Sequence, residues 1–326
     1  MQKSINQLKK EKTDEKMLSQ IIGDNVDTVS GLDLFNRQIV EIPKLVHPFF
    51  QQVGVAGLVG ASDSGKSTFL RQLALSIALK KETFLGFKIE AKHHKVVYVS
   101  TEDDENLVSF GIQKQLKELK LKKNEKELLN NIDFIFKTEY LLTKLKNILK
   151  KEPKDLIVID SFADIFEGEI NANTQVRKFI NDYDSLAKRH KCLIIFLHHI
   201  GKAGSFRSPN KNNIIGSQAF EAKMRVVLEL KPKYKQAKRY DLWVLKGNFL
   251  DNKYKTSSTI LEFNENLTFR NTGEKYFKQS PTKPVKKTTS TKRSKKNNPK
   301  FIKAITNLKK QGLTVRQIET SLKDSS

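Results

Sequence analysis

Residues 60–67 read Gly60-Ala61-Ser62-Asp63-Ser64-Gly65-Lys66-Ser67, which fits the pattern G-x-x-x-x-G-K-[ST]. An apolar run at 53–59 precedes this segment, and a run with helical periodicity at 68–78 follows it. Strand, glycine-rich loop and helix in this order form a phosphate-binding loop, in which backbone N–H groups and the positive end of the helix face phosphates. The segment therefore predicts an α/β fold that binds a nucleoside triphosphate.

The residues of this loop have predicted parts in binding. Lys66 is expected to reach the β- and γ-phosphates, and the hydroxyl of Ser67 is expected to bind Mg²⁺. The predicted nucleotide-binding residues are Gly60, Ala61, Ser62, Asp63, Ser64, Gly65, Lys66, Ser67 and Thr68. We therefore expect ATP and Mg²⁺ as cofactors.

Apolar runs alternate with amphipathic ones from about residue 31 to residue 272. Strands are predicted at 54–59, 96–100, 132–136, 156–160, 193–197, 226–230, 241–246 and 260–263. Helices are predicted at 67–79, 105–119, 141–150, 174–188 and 217–223. Strands separated by helices indicate a central, mostly parallel sheet that is covered on both faces.

Two carboxylates follow apolar strands of this pattern. Asp160 ends one predicted strand, and Glu102 comes two residues after another. Because ligands of open α/β sheets bind at the carboxyl ends of the strands, Asp160 is the second predicted Mg²⁺ ligand and Glu102 the predicted base that activates water. The alternatives are an ordinary strand end for Asp160 and, for the acidic cluster that includes Asp103 and Asp104, capping of the next helix.

A pair of histidines, His198 and His199, follows a third apolar run. A strand end at this edge of the sheet lies near the nucleotide, so His199 is expected to sense the γ-phosphate or to link the nucleotide to the next loop. The alternative is an ordinary packing residue with satisfied hydrogen bonds.

The loop that follows, residues 202–213, is polar and basic and contains one aromatic residue. Lys202, Arg207 and Lys211 would bind phosphates while Phe206 stacks on a base, which is a common way to hold a single strand. The loop therefore predicts single-stranded DNA as a partner, and the alternative is a surface loop without a ligand.

The chain of 326 residues has a formal net charge of +24, which is unevenly distributed. Residues 275–326 contain fifteen Lys or Arg against two acids, a net of +13. This distribution favours a polyanionic partner, because each cation that neutralises a phosphate releases counterions. The alternatives are a solubilising tail or a genome whose codons favour Lys.

The apolar runs of the chain are far shorter than the roughly 20 residues of a membrane span. The first twenty residues are rich in Lys and Glu and lack the apolar core of a signal peptide. We therefore expect no membrane partner and a cytoplasmic location. The apolar neighbours of Cys192, the only cysteine, indicate a buried thiol.

Composition divides the chain into four predicted parts. These are an N-terminal arm at 1–30, an ATPase core at 31–272, a basic flexible linker at 273–299 and a small helical tail at 300–326. The linker has almost no apolar residue and cannot bury enough surface to fold. In the tail, two short helices about Gly312, with Thr314 as an N-cap, indicate either a helix-turn-helix piece or a docking peptide.

Several short motifs occur in a recognisable order between residues 45 and 250. They are Gly60–Ser67, Ser100-Thr101-Glu102-Asp103, Ile159-Asp160, Phe196-Leu197-His198-His199 with Lys202, Gly216-Ser217, Arg225 and Leu245-Lys246-Gly247-Asn248. In this order they resemble RepA-type hexameric replicative helicases, which are RecA-fold ATPases related to DnaB and KaiC. The resemblance implies a RecA-like P-loop core, with the short arm and the basic tail as appendages, and ATP sites between the subunits of a hexameric ring.

The resemblance also implies which residues act within one subunit. Lys66, Ser67 and Asp160 would bind the nucleotide and its metal, with Glu102 as the general base.

Other residues would act on the neighbouring subunit. Lys246 matches the lysine that relatives offer to the neighbour's nucleotide. Asn248 stands where DnaB and KaiC have an arginine, so the arginine finger must come from elsewhere. Arg225 is the first candidate for the finger and Arg207 the second, while Ile215 stands where RepA-like sequences often carry an arginine.

Together these features predict a ring-forming ATPase that moves on single-stranded DNA, such as the replicative helicase of a plasmid, phage or integrated mobile element. The basic tail would add DNA affinity or recruit a replication or mobile-element partner. Two alternatives stay open. One is an ATP-dependent DNA-binding switch or recombination-type regulator that does not unwind DNA, and the other is a helicase loader whose tail is the main DNA reader.

Overall fold

The structure is a computed structural model that describes residues 28–201, 207–216, 218–277, 306–312, 314 and 317. The chain divides into two units, residues 1–276 and 277–326, which are described separately. Most of the predicted arm and linker lies outside the described residues.

The strands are β1 (Lys44–Val46), β2 (Phe50–Gln51), β3 (Gly54–Gly60), β4 (Thr83–Phe84), β5 (Phe87–Lys88), β6 (Val96–Ser100), β7 (Ile132–Ile135), β8 (Leu156–Asp160), β9 (Leu193–His199), β10 (Val226–Pro232), β11 (Arg239–Gly247), β12 (Ser257–Phe263) and β13 (Phe269–Phe277). The α-helices are α1 (Gly31–Asn36), α2 (Lys66–Ala78), α3 (Glu105–Leu116), α4 (Lys123–Glu127), α5 (Leu141–Lys151), α6 (Phe162–Ile165), α7 (Asn173–His190) and α8 (Gln218–Lys223). Short 3₁₀ turns cover Lys117–Leu119, Leu128–Asn131, Lys211–Asn213 and Asn252–Tyr254. No helix in this described part combines the length and the apolar composition needed to cross a membrane.

One large sheet contains nine strands in the order β13-β12-β11-β10-β3-β9-β8-β6-β7. The strands from β10 to β7 in this order run parallel. The pairs β10–β11 and β11–β12 are antiparallel. This topology confirms the predicted α/β fold with a mostly parallel central sheet, because helices connect the parallel strands.

The central strand β3 shows why both faces of the sheet are covered. Successive side chains of a strand point to opposite faces, so Leu58 belongs to one apolar core and Val59 to the other. Helix α2 packs on the first face, and helices α5 and α7 pack on the second. Because every residue of β3 is buried, the carboxyl end of this strand is held firmly in the middle of the sheet edge.

The bounds of β6 and β8 agree with the sequence prediction, and other elements differ from it. Strand β9 continues to His199, two residues beyond its apolar run. Strands β1, β2, β4 and β5 are only two or three residues long, too short to give a periodic signal. Strand β13 runs past the domain boundary predicted at residue 272. The sequence pattern does not predict this strand, because it lies at the edge of the sheet and its side chains are mostly exposed and do not alternate clearly.

The described residues of the second unit agree with the predicted turn in the tail. Residues 306–310 are helical, and Gly312 follows with a φ of +79°. The backbone N–H of Thr314 donates to Oε1 of Gln317 at 2.9 Å, as in one half of a capping box. The rest of the predicted tail lies outside the described residues.

Candidate active site

The predicted phosphate-binding loop lies between the end of β3 and the first turn of α2. A Cβ atom on Gly60 would lie 2.5 Å from the carbonyl oxygen of Leu230 and 2.7 Å from Oγ of Ser64. Gly65 has a φ of +78°, which glycine adopts without strain. No described side chain caps the N-terminus of α2, so its first N–H groups are available to an anion in the loop.

Lys66 is buried against this loop. Its ammonium group donates a 2.6 Å hydrogen bond to the carbonyl oxygen of Ala61. Burial lowers the pKa of Lys66, and nearby carboxylates, Asp160 foremost, act in the opposite direction. The loop therefore holds a cation next to the N-terminus of α2, where a phosphate chain would need it.

Asp160 lies at the end of β8 and is only 5% exposed. Its Oδ2 atom accepts a 2.7 Å hydrogen bond from the hydroxyl of Tyr98, which is also 3.1 Å from the carbonyl oxygen of Ser67. Burial raises the pKa of Asp160 to about 6, although the hydroxyls of Tyr98 and Ser67 lower it. Burial also raises the pKa of Tyr98 well above its usual value, so Tyr98 stays a hydrogen-bond donor.

The second carboxylate oxygen of Asp160 tests whether these residues suit a metal ion. This Oδ1 atom is buried and has no hydrogen-bond partner among the described residues. An unpaired buried carboxylate is costly in a protein interior, and a hard divalent cation with oxygen ligands removes that cost. With the hydroxyl of Ser67 close by, the donor set fits Mg²⁺.

Glu102 and His199 meet beside the same loop. The distance between Oε1 of Glu102 and Nε2 of His199 is 3.8 Å, and the Glu102 side chain is 58% exposed. His199 pairs with Gly60 across the sheet, which places the imidazole next to the loop. Burial and the charge of Lys66 lower the pKa of His199, so the imidazole is neutral at pH 7. The carboxylate of Glu102 is therefore open to water and lies beside a neutral imidazole.

His198 is a packing residue, which is the role that the sequence analysis gave as the alternative for His199. It is buried, its ring packs against Phe162 and Phe220, and its Nε2 atom lies 2.9 Å from the carbonyl oxygen of Ile215. Burial lowers the pKa of His198 to about 4. This side chain is thus an uncharged part of the core.

The acidic residues after Glu102 serve different purposes. Asp104 caps α3 by accepting a 2.9 Å hydrogen bond from the N–H of Leu107. Asp103 lies 3.7 Å from the guanidinium of Arg71, and Arg71 donates a 3.1 Å hydrogen bond to Gln115. The backbone that carries Glu102 is therefore fixed to both α2 and α3. The capping alternative applies to Asp104 and leaves the carboxylate of Glu102 available.

Sequence reasoning missed Tyr98 and Arg71. Tyr98 belongs to the apolar run of β6, where its ring reads as a core residue. Arg71 lies on α2 and is buried, and its partners come from α3 and the loop before it. The spacing of Arg71 from Lys66 places both on α2, but no local pattern predicts a buried arginine there.

Arg225 and Lys246 lie far from the loop of their own chain. The N–H of Arg225 donates to the carbonyl oxygen of Val55, and a Cβ on Gly54 would lie 3.4 Å from Cγ of Arg225. Gly54 begins β3, whose seven residues span roughly 20 Å at about 3.3 Å per residue. Lys246 lies on β11, two strands away from β3 in the sheet. Its ammonium donates hydrogen bonds to the carbonyl oxygens at the end of α8.

The predicted DNA loop leaves the sheet after His199 and returns at Ile215, whose N–H donates to the carbonyl oxygen of His199. Lys202 and Phe206 lie outside the described residues. Arg207 is exposed. The ammonium of Lys211 is 3.4 Å from the carboxylate of Glu221.

The comparisons with known proteins agree with this fold. A sequence profile described as "AAA domain" matches residues 26–205, which is more than half of the chain. A solved structure described as an "ATPase Domain" superposes with a TM-score of 0.53 at 13% identity, over 74% of this chain and 95% of that one. No curated protein matches the sequence significantly. The profile match includes the phosphate-binding loop, Glu102, Asp160 and His199, and the chain therefore belongs to the AAA domain family.

Proposed function

We propose that the chain hydrolyses ATP and works as a ring-forming motor on single-stranded DNA, as a RepA-like replicative helicase of a mobile element does. The observation that carries the proposal is the meeting of four groups at one sheet edge. These are the uncapped N-terminus of α2, the buried ammonium of Lys66, the unpaired oxygen of Asp160 and the exposed Glu102 beside the partly buried His199.

The residues of the site have complementary tasks in hydrolysis. Lys66 and the N–H groups of α2 hold the β- and γ-phosphates, and Asp160 and Ser67 hold the metal ion. Bound Mg²⁺ would neutralise charge that develops on the phosphate oxygens. Glu102 accepts a proton from the attacking water, and neutral His199 restricts the orientation of the carboxylate.

Assembly from several copies is supported by the placement of two basic residues in the fold. Arg225 and Lys246 lie away from their own phosphate-binding loop, so they would serve the site of a neighbouring subunit. The segment 28–42 also exposes large apolar side chains, among them Phe35 at 80% and Val40 at 100%. Apolar side chains clustered in this way are typical of interaction surfaces.

Single-stranded DNA is the proposed polymer because the exposed Arg207 and Lys211 lie on the loop that follows β9, and β9 ends beside the phosphate-binding loop. The basic C-terminal segment at 275–326 adds positive charge that attracts phosphates or an acidic replication partner.

Steady-state ATP hydrolysis with and without an oligothymidine strand, at two salt concentrations, tests the proposal. We expect the strand to stimulate hydrolysis, less so at high salt. Glu102→Gln should lower turnover by about 10²- to 10⁴-fold, because it removes the base. The matched control is Glu105→Gln, which changes an exposed acid in the same run and should leave turnover unchanged. Slow hydrolysis that ignores DNA would exclude the motor.

An ATP-dependent DNA-binding switch or a helicase loader is the second candidate. It is favoured by Lys246, which is bound to the end of α8 in its own chain and would have to leave those carbonyl oxygens to reach a neighbour. Removal of residues 280–326 distinguishes the motor from the loader. A motor keeps DNA-stimulated hydrolysis without the tail, whereas a loader that reads DNA through its tail loses the response.

A further inference from the structure

The turn between β10 and β11 carries an unusual concentration of positive charge. Residues 231–239, called the basic hairpin below, contain four lysines, one arginine and no acid. Two of these residues, Lys235 and Lys238, adopt left-handed backbone conformations with φ of 60° and 62°, which turns the chain tightly and directs the tip into solvent.

Only part of this charge is neutralised by nearby carboxylates. Lys233 lies 3.8 Å from Asp241, and Arg239 forms two hydrogen bonds with Glu274. Lys235 and Lys238 are exposed and have no acidic partner within 4 Å among the residues that the structure describes. The tip of the basic hairpin therefore presents two free cations.

An aromatic ring lies beside one of these two charges. The side chain of Tyr234 is 85% exposed, and the ammonium of Lys235 is 5.3 Å from its ring centroid. An exposed ring beside unpaired cations is the combination that binds a single strand, in which a base stacks on the ring while cations hold the backbone. Bases of a duplex are already stacked, so a single strand fits the ring better.

The position of the basic hairpin connects it with the proposed DNA loop. Strand β10 runs parallel to β3, so the hairpin leaves the sheet at the edge that carries the phosphate-binding loop. The ammonium of Lys231 donates a hydrogen bond to the carbonyl oxygen of Arg207. A cavity of about 430 Å³ separates the hairpin from Ala61 and Ile200. The hairpin thus continues the basic surface that begins at Arg207.

We infer that the basic hairpin is a second contact for single-stranded DNA, in which Tyr234 stacks on a base and Lys235 and Lys238 bind the adjoining phosphates. The inference rests on the proposed function, because it assumes that the strand also contacts the loop at 202–213. It adds a contact outside that loop.

Photo-cross-linking of the full-length protein to an oligothymidine that contains 5-iodouracil tests the stacking contact. We expect a cross-link in the peptide that contains Tyr234, and its loss in Tyr234→Ala. Tyr140→Ala is the matched control, because Tyr140 is equally exposed at 85% but lies outside the hairpin. In fluorescence anisotropy, Tyr234→Ala should weaken binding at least about fivefold, the lower end for one stacked base.

Salt dependence tests the two cations. Changing both Lys235 and Lys238 to Gln should reduce the slope of log K against log salt by about 1.4, or about 0.7 for each phosphate. The control changes Lys123 and Lys126, which are exposed on α4, in the same way and should reduce the slope less.

The outcomes separate the inference from the proposed function. A wild-type protein that binds no strand overturns both. A wild-type protein that binds, with Tyr234→Ala equal to Tyr140→Ala in affinity and cross-linking, overturns the hairpin contact alone. If Tyr234→Ala weakens binding of a fluorescent ATP analogue and leaves DNA cross-linking intact, the ring belongs to the nucleotide site and the inference is wrong.

Discussion

Replacement of Asp160 by Asn removes a buried charge from the metal-free protein. The carboxylate is 5% exposed, one of its oxygens is unpaired, and burial raises its pKa from 3.8 to about 6. Without a cation this charge destabilises the fold. We therefore expect Asp160→Asn to become more stable relative to wild type as the pH rises, when both are studied in EDTA.

The magnitude follows from the two pKa values. The folded protein keeps the proton of Asp160 up to about pH 6, and the unfolded chain releases it near pH 3.8. Wild-type stability therefore falls as the pH rises between these values and stays low above them. The total effect is about 3 kcal/mol at about 1.4 kcal/mol for each pKa unit, and about half of it falls between pH 5 and pH 8. That half corresponds to roughly 3–6 °C in Tm.

Thermal unfolding measures the effect as the change, between pH 5 and pH 8, in the difference in Tm between wild type and Asp160→Asn. The buried amide of Asn can cost about 1–3 kcal/mol when it lacks an acceptor, but that cost is the same at both pH values and cancels. His198, whose pKa is lowered to about 4, makes both proteins less stable as the pH falls from 6.5, and this contribution also cancels. Asp182→Asn, which changes an exposed carboxylate, is the control.

If the difference in Tm between wild type and Asp160→Asn is equal at pH 5 and pH 8, the reasoning is refuted, since the charge of Asp160 would then not destabilise the fold.

Addition of Mg²⁺ and ATP provides a second test of the same variant. Ligand at about 100 times its Kd stabilises a protein by about 2.7 kcal/mol. We expect the wild type to gain this stability and the variant to lose the part that depends on Mg²⁺.

Three other experiments test the geometry of the site. Gly60→Ala would place a Cβ 2.5 Å from a backbone carbonyl, so binding of a fluorescent ATP analogue should weaken at least about tenfold. Gly111→Ala would collide with the guanidinium of Arg71, and we expect denaturant unfolding to show a loss of about 1–3 kcal/mol. Arg225→Ala and Glu102→Gln should each be inactive alone and recover ATP hydrolysis when mixed, because one mixed site has both residues; no recovery would argue against a shared site.

The fold could be predicted where burial leaves a strong pattern in the sequence. Strands β6 and β8 are buried on both faces, so each is a continuous apolar run that polar residues delimit sharply. Strand β13 could not be predicted, since an edge strand needs few apolar residues and its pairing comes from a distant part of the chain.

The candidate site also has residues that the sequence predicts and contacts that it does not. Lys66, Asp160 and Glu102 stand next to glycine-rich or apolar segments, and parallel strands bring such ends to one edge of a sheet. The hydrogen bond from Tyr98 to Asp160 depends on the pairing of β6 with β8, and the contact between Arg71 and Asp103 depends on how α2 packs beside the loop after β6. That packing is a tertiary property, and the identity of a residue that serves a neighbouring subunit remains a prediction.

The position of β3 in the sheet has a consequence for the order of events during synthesis. Gly57 pairs with Phe196 on one side and with Val227 on the other, and the carbonyl oxygen of Leu230 lies under Gly60. At about 5–20 residues per second, the ribosome delivers β10 roughly 10 to 30 s after β3. Until then the phosphate-binding segment lacks one wall. The wall of the loop that Leu230 forms is thus completed last, after β10 has been synthesised and has paired with β3.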